Sequence, residues 1–178
     1  NFHIDGEDDN PYARLMKAAE SVPIGSEGIT VLDFFQGNRT PYKDPSAKGV
    51  IYGLGIEHNW KHIYRALIES VSFGTYNIIR NFEKQNYRID SITACGGVTQ
   101  DHVWMQIIAD ITGKKIIVPK QKQAGVQGCC VAAAAGGRYY QDFQESASAM
   151  VKPAFVVEPD MENHEKYKFF VDKYIETW

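Results

Sequence analysis

The stretch Ile92-Thr93-Ala94-Cys95-Gly96-Gly97-Val98-Thr99-Gln100-Asp101-His102-Val103-Trp104 decides the fold. Its first residues read as a short strand, the Gly96-Gly97 pair turns the chain, and a helix follows at once. A strand, a glycine turn and a helix in direct succession are the unit from which α/β sheets are built. Paired glycines let a ligand approach bare backbone, and a helix start leaves N–H groups without intrahelical partners. The turn lacks the G-x-G-x-x-G spacing of dinucleotide-binding loops and the Gly-Lys-Ser/Thr of a P-loop. From the residues alone it is either a corner required by packing or a ledge for a ligand. Asp101 refines the second reading. A carboxylate in the first helical turn complements the positive end of the helix dipole, but it would repel a phosphate placed there. A nucleotide at this turn would therefore face Asp101 with its base or ribose and keep its phosphates elsewhere.

Working outward, the pattern predicts a helix over 100–112, with Val103, Ile107, Ile108 and Ile111 inward and Gly113 as its stop. A strand over 115–119 follows, closed by Pro119. Upstream, the longest helix runs over 59–85 from the N-cap Asn59, with Ile63, Leu67, Val71, Gly74, Ile78 and Phe82 on one inward face. Ala66, Ser70, Ser72 and Gly74 let another element come close to it. Strands are expected over 29–35, 49–54 and 90–95, a helix over 11–19, and an irregular but ordered loop over 36–48. Residues 1–10, with four acidic side chains, read as loop. A small-residue helix over 126–138, built for tight packing, and a last helix over 162–175 complete the chain. This alternation is α/β, a sheet covered by helices.

Composition bounds the function. The 178 residues are 44% hydrophobic and 23% charged, which is ordinary for a globular chain. Nineteen basic against 22 acidic side chains give a net charge of -3, so there is no basic footprint for nucleic acid and no polybasic patch for a membrane. The longest apolar run, 129–135, is far too short to span a bilayer, and the N-terminus has no signal-peptide pattern. Cys95, Cys129 and Cys130 cannot form a disulfide framework, and reduced thiols in the cytoplasm are expected. The chain lacks an initiator Met and reads as cut from something longer.

The remaining chemistry is sparse. His58 and His62 are four apart at a helix start, but no carboxylate lies between them and no third ligand follows, so they read as surface or capping histidines rather than a metal pair. Cys129 and Cys130 are expected to be small packing residues within an apolar helix. Glu69 is either an interior carboxylate bonded to a loop or part of a solvated face. No segment supplies a nucleophile beside a base, and no metal site is predicted.

Several stretches together resemble one family, the FGGY carbohydrate kinases, in their C-terminal domain. Gln36-Gly37-Asn38-Arg39-Thr40-Pro41, continuing to Asp44-Pro45 and Gly49, is similar to the family's Gly-x-Arg-Thr-Pro-x-x-Asp-Pro segment. Gly49-Val50-Ile51-Tyr52-Gly53-Leu54, then seven residues, then His62-Ile63-Tyr64-Arg65-Ala66-Leu67-Ile68-Glu69 is similar to its second signature, with Leu67 a slight departure. Cys95-Gly96-Gly97 through Trp104-Met105-Gln106-Ile107, Ala109-Asp110 and Gly113 looks like its adenosine-binding turn and helix, and the segment around Gly128 like its Ala/Gly-rich helix. The likeness covers about residues 10–140.

The resemblance implies a ribonuclease-H-like domain of the actin/hexokinase superfamily, with residues 1–178 forming the C-terminal, nucleotide-side domain of a two-domain sugar kinase. The parent would transfer the γ-phosphoryl group of ATP with Mg2+ to a hydroxyl of a ketopentose such as xylulose or ribulose. The catalytic residues, the sugar pocket and most of the phosphate and Mg2+ machinery would lie in an upstream domain, so this part alone would be inactive. By position, Gly96, Gly97, Val98 and Asp101 match the family's contacts to adenosine. Val98 stands where a third glycine or alanine is common, and Asp101 where some members carry Asn. Asp101 can accept from adenine's amine but cannot donate to a ring nitrogen. The rival expectation is a non-catalytic nucleotide-binding or oligomerisation module on the same fold, and a homo-oligomer fits either.

Overall fold

The computed structural model describes residues 11–178; the expected N-terminal loop lies outside the described residues. Helix α1 (Pro11–Glu20) opens on a proline, which suits a first helical turn, and buries Met16 and Ala19. Strand β1 (Thr30–Leu32) pairs antiparallel with β2 (Val50–Tyr52). Both are shorter than the sequence predicts. β1 stops because Asp33 accepts from the Tyr174 hydroxyl at 2.7 Å and Phe34 turns into the core. Between them the irregular loop is ordered as expected. Asn38, buried, accepts from the Tyr42 N–H at 3.1 Å, and Asp44 accepts from the backbone and hydroxyl of Ser46.

Helix α2 (Trp60–Glu83) starts where predicted, at Asn59, and is the longest element. Its buried face is not the expected one. Val71 is 42% and Phe82 47% exposed, whereas Ala66, Ile68, Ser70, Ser72, Phe73, Asn77 and Ile79 are buried. The small residues Ala66, Ser70 and Ser72 do lie inward, but Gly74 is only half-buried. The apolar periodicity points to the wrong stripe because the truly inward positions include polar side chains whose partners are distant in sequence.

A second sheet has the order β3-β4-β5: β3 (Ser91–Thr93) runs parallel to β4 (Lys115–Pro119), and β5 (Pro153–Val157) antiparallel to it. Ile116 faces Val157 and Ile117 faces Val156. β5 and helix α5 (Phe143–Met150) have no counterpart in the sequence reading. Between β3 and β4 run a 3-10 turn (Gly97–Gln100) and helix α3 (His102–Thr112). α3 starts two residues later than expected, because Asp101 serves as its N-cap rather than lying inside its first turn. Gly113, at φ +64, ends it in the left-handed conformation that glycine adopts freely. Helix α4 (Ala124–Gly136) follows, and helix α6 (Met161–Thr177) packs across α2 and α3. Asp110 on α3 pins the start of α6, accepting from the Asp160 N–H at 2.9 Å and from Asn163 Nδ2 at 3.0 Å.

The main core lies among α1, α2, α3 and α6, where Met16, Phe34, Ile68, Phe73, Ile107, Ile111, Tyr167 and Tyr174 meet. A smaller one, Met105, Ala109, Ile116, Val118 and Val157, joins α3 to the second sheet. The architecture is α/β, as expected. Among the described residues no helix is long and apolar enough to cross a membrane.

Candidate functional site

The two glycines after β3 turn out to have different reasons. Gly96 sits at φ +88, ψ −164, a region essentially closed to side-chain-bearing residues, so the corner itself requires it. Gly97 has no left-handed φ, and a Cβ built on it would meet nothing within 4 Å. Neither backbone geometry nor internal packing explains its missing side chain. Its bare backbone opens onto a cavity of about 460 Å3, within the usual range for small-molecule pockets.

That cavity gathers residues from four places. Gly97, Val98, Gln100 and Asp101 form its floor, Tyr12, Ala13 and Met16 of α1 one wall, and Tyr64 of α2 and Trp104 of α3 the others. Of the four predicted site residues, the structure brings Gly97, Val98 and Asp101 to the lining; Gly96 holds the corner beside them. Asp101 Oδ1 accepts from the Trp104 N–H at 3.0 Å, the N-cap bond that orients α3. Burial, then the Asp101 charge, then Tyr12 push the Tyr64 phenol above the ordinary tyrosine value. Tyr64 therefore stays protonated in the neutral range. Sequence reasoning missed Tyr12, Tyr64 and Trp104 as wall residues. Each reads as part of a helix stripe or motif, and no local signal marks three separate helices as converging here.

A buried polar knot fixes the scaffold behind this cavity. Glu69 is 1% exposed. Its Oε1 accepts from Arg65 Nε at 2.9 Å, from the Gly25 N–H at 3.1 Å and from the Tyr167 hydroxyl at 3.1 Å; its Oε2 accepts from the Ser26 hydroxyl at 2.9 Å. Arg65 Nη2 also donates to the Tyr167 oxygen at 2.7 Å. Of the two readings of Glu69, the interior carboxylate bonded to a loop is the one observed. Burial foremost, with the Glu69 charge beside it, raises the Tyr167 phenol well above its usual value. Gly25, at φ +79, lets the Phe170 ring of α6 lie directly on this loop; a Cβ there would collide with it.

The two histidines, expected at the surface or as caps, are both half-buried: His62 caps α2, and His58 closes the turn before it. His58 Nδ1 accepts from the Gly55 N–H at 2.8 Å, and His62 Nδ1 from the Asn59 N–H at 3.2 Å, completing a capping box. The His58 side chain is only 3% exposed. Cys129 and Cys130 depart from expectation more sharply. Both are exposed, as is Cys95, and on α4 only Val131 is buried. The helix expected to pack tightly leaves Gly125, Gly128 and Gly136 facing open space.

With the fold and the cavity in place, comparison with known proteins defines the class. A ligand-bound xylulose kinase from Lactobacillus acidophilus superposes with a TM-score of 0.87 at 25% identity, over 95% of this chain and 34% of that one. Its counterpart from Rhodospirillum rubrum gives 0.80 at 27% identity. The fold is the ribonuclease-H-like one of the actin/hexokinase superfamily. Residues 3–137 match the FGGY family of carbohydrate kinases, C-terminal domain, and the chain belongs to that family. It is 29% identical over 163 residues to the xylulose kinase of Bacillus subtilis (strain 168), covering 92% of this chain and 33% of that protein. It is 32% identical over 162 residues to ribulokinase 2 of Staphylococcus saprophyticus, covering 90% and 30%. The chain thus spans about a third of the length of the relatives it matches. Helix α5, strand β5 and helix α6 lie beyond the matched family segment.

Proposed function

We propose that residues 1–178 form the nucleotide-side, C-terminal domain of a two-domain, ATP-dependent pentulose kinase that works in the cytoplasm. The observation that carries this reading is Gly97: its missing side chain has no reason inside the chain and leaves bare backbone at a cavity of nucleoside size. Gly96 shapes the corner, Gly97 and Val98 lie against the adenosine, and Asp101 offers a carboxylate oxygen to its base or ribose. The acidic side chain keeps the phosphates away from the helix start, so they extend toward the rest of the polypeptide.

Two further observations support the two-domain reading. α4 is apolar apart from Gln127, yet only Val131 on it is buried and most of its residues are exposed, a state that normally signals a missing cover. The matched relatives are three times as long, and they are named for xylulose and ribulose phosphorylation. Three unpaired thiols suit a reducing compartment.

In the parent enzyme, the chemistry is positioning and electrostatics. This chain's share is to hold the nucleoside: the helix walls exclude water, and the floor fixes its depth. Among the described residues no group of three or more His, Cys, Asp or Glu side chains could hold a metal ion, and the Mg2+ that accompanies ATP would be held mainly with the upstream domain. The sugar and the catalytic base belong to the upstream domain. The direct test is phosphoryl transfer from ATP by the full-length polypeptide to xylulose, ribulose, hexuloses and glycerol. Turnover of a pentulose well above the others is expected; turnover of none would overturn the reading.

A further inference from the structure

Resting on the nucleotide site proposed above, we infer that Tyr64 is a specificity-determining residue, its hydroxyl donating to the ring nitrogen beside adenine's exocyclic amine while Asp101 accepts from the amine. The need for such a residue follows from the chemistry of Asp101. A carboxylate only accepts. Its Oδ1 is held by the Trp104 N–H, and Oδ2 accepts no hydrogen bond among the described residues. On either hydrogen-bonding edge, adenine sets the amine donor beside an acceptor, N1 on one edge and N7 on the other. A lone carboxylate satisfies the amine and leaves the neighbouring nitrogen lone pair facing negative charge. A pocket that selects adenine with Asp101 therefore needs a donor close to it.

Four side chains lining the cavity carry a donor: Tyr12, Tyr64, Gln100 and Trp104. The Trp104 Nε1 is sealed from solvent, Tyr12 is 73% exposed on α1 and already has a partner, and Gln100 is exposed on the 3-10 turn, where no helix packing fixes its side chain. Tyr64 differs from all three. It is half-buried on α2, whose start is fixed by a capping box, and its hydroxyl makes no hydrogen bond among the described residues. It lines the same cavity as Asp101. An unpaired donor and an unpaired acceptor thus line the same cavity, the pair that adenine's amine and adjacent nitrogen require.

The test is an atom-deletion cycle by calorimetry on the full-length polypeptide. ADP, 1-deaza-ADP and 7-deaza-ADP are titrated into the unmodified protein and into Tyr64→Phe. One deaza analogue is expected to bind the unmodified protein roughly five- to tenfold more weakly than ADP, the effect of one net hydrogen bond. Tyr64→Phe should lose a similar factor for ADP, and the penalty on that analogue should vanish. The inference is overturned if both analogues bind the unmodified protein as ADP does, or if the penalty persists in Tyr64→Phe. The first arm needs no variant, so a folding defect cannot mask it. Failure of ADP to bind the unmodified protein would instead sink the nucleotide site itself, and this inference with it.

Discussion

The two ends of the molecule treat the same problem, burying apolar helix surface, in opposite ways. On the α2–α6 side the inward polar groups close on one another, Arg65, Glu69, Tyr167, Ser26 and the Gly25 amide in one knot, and Phe34, Phe73, Tyr167 and Tyr174 pack against each other beside them. On the α4 side an equally apolar helix buries little besides Val131, and its glycines face nothing. The first region is complete in itself. The second leaves an apolar helix largely uncovered, which is the feature the proposed two-domain reading accounts for.

The contrast can be broken most forcefully at Glu69. Glu69→Ala leaves Arg65 buried without its counter-charge, and removal of one partner of a buried pair typically costs about 3–5 kcal/mol. Denaturant unfolding of the full-length polypeptide should show that loss. A change under about 1 kcal/mol would mean the knot is less tightly closed than its distances indicate. Asp101→Ala comes next. Loss of the N-cap bond to Trp104 should cost about 1 kcal/mol by the same measurement, together with weaker ADP binding.

The smallest stability effect is expected on α4. Gly128→Ala, in this chain alone, should be neutral or stabilising by up to about 1 kcal/mol, since its Cβ meets nothing and alanine favours helix. If the cover exists, the bulkier Gly128→Leu should disturb the full-length protein far more than the chain alone, as read by thermal unfolding of each. Equal effects in both would remove the case for a cover on this face.

A pH profile sharpens the comparison from the complete side. Tyr167 and Tyr174 both have phenols raised above their ordinary value, by burial first and then by Glu69 and Asp33 respectively. The folded state therefore holds their protons more tightly than the unfolded state. Their contribution is fully present below about pH 10, the ordinary tyrosine value, and is lost as pH rises through the folded values. Stability measured from pH 8 upward should fall along an alkaline limb, and Tyr167→Phe should make that limb shallower.

What the sequence disclosed follows from the range of each interaction. Asn59 and Gly113 mark helix ends by local capping chemistry, and both were legible. The inward face of α2 was not, because Glu69 and Arg65 are buried through a tyrosine about a hundred positions away, and no periodicity reports a partner that distant. β5 is not legible for the same reason: it is defined by pairing with β4 from a separate part of the chain. The site was half legible. Gly96, Gly97, Val98 and Asp101 stand together in sequence, whereas Tyr12, Tyr64 and Trp104 come from three helices and meet only in the fold. α4 is legible as a helix, but its exposure is not, because its residues suit a buried one.

The most direct measurement is calorimetric titration of ADP into the full-length polypeptide and into its Gly97→Trp form. Gly97 is unstrained and has open space around it, so the indole should leave the fold intact while occupying the ledge. The account predicts that ADP binds the unmodified protein and that Gly97→Trp loses most of that affinity. Equal affinity in both would place the nucleotide elsewhere and contradict the claim.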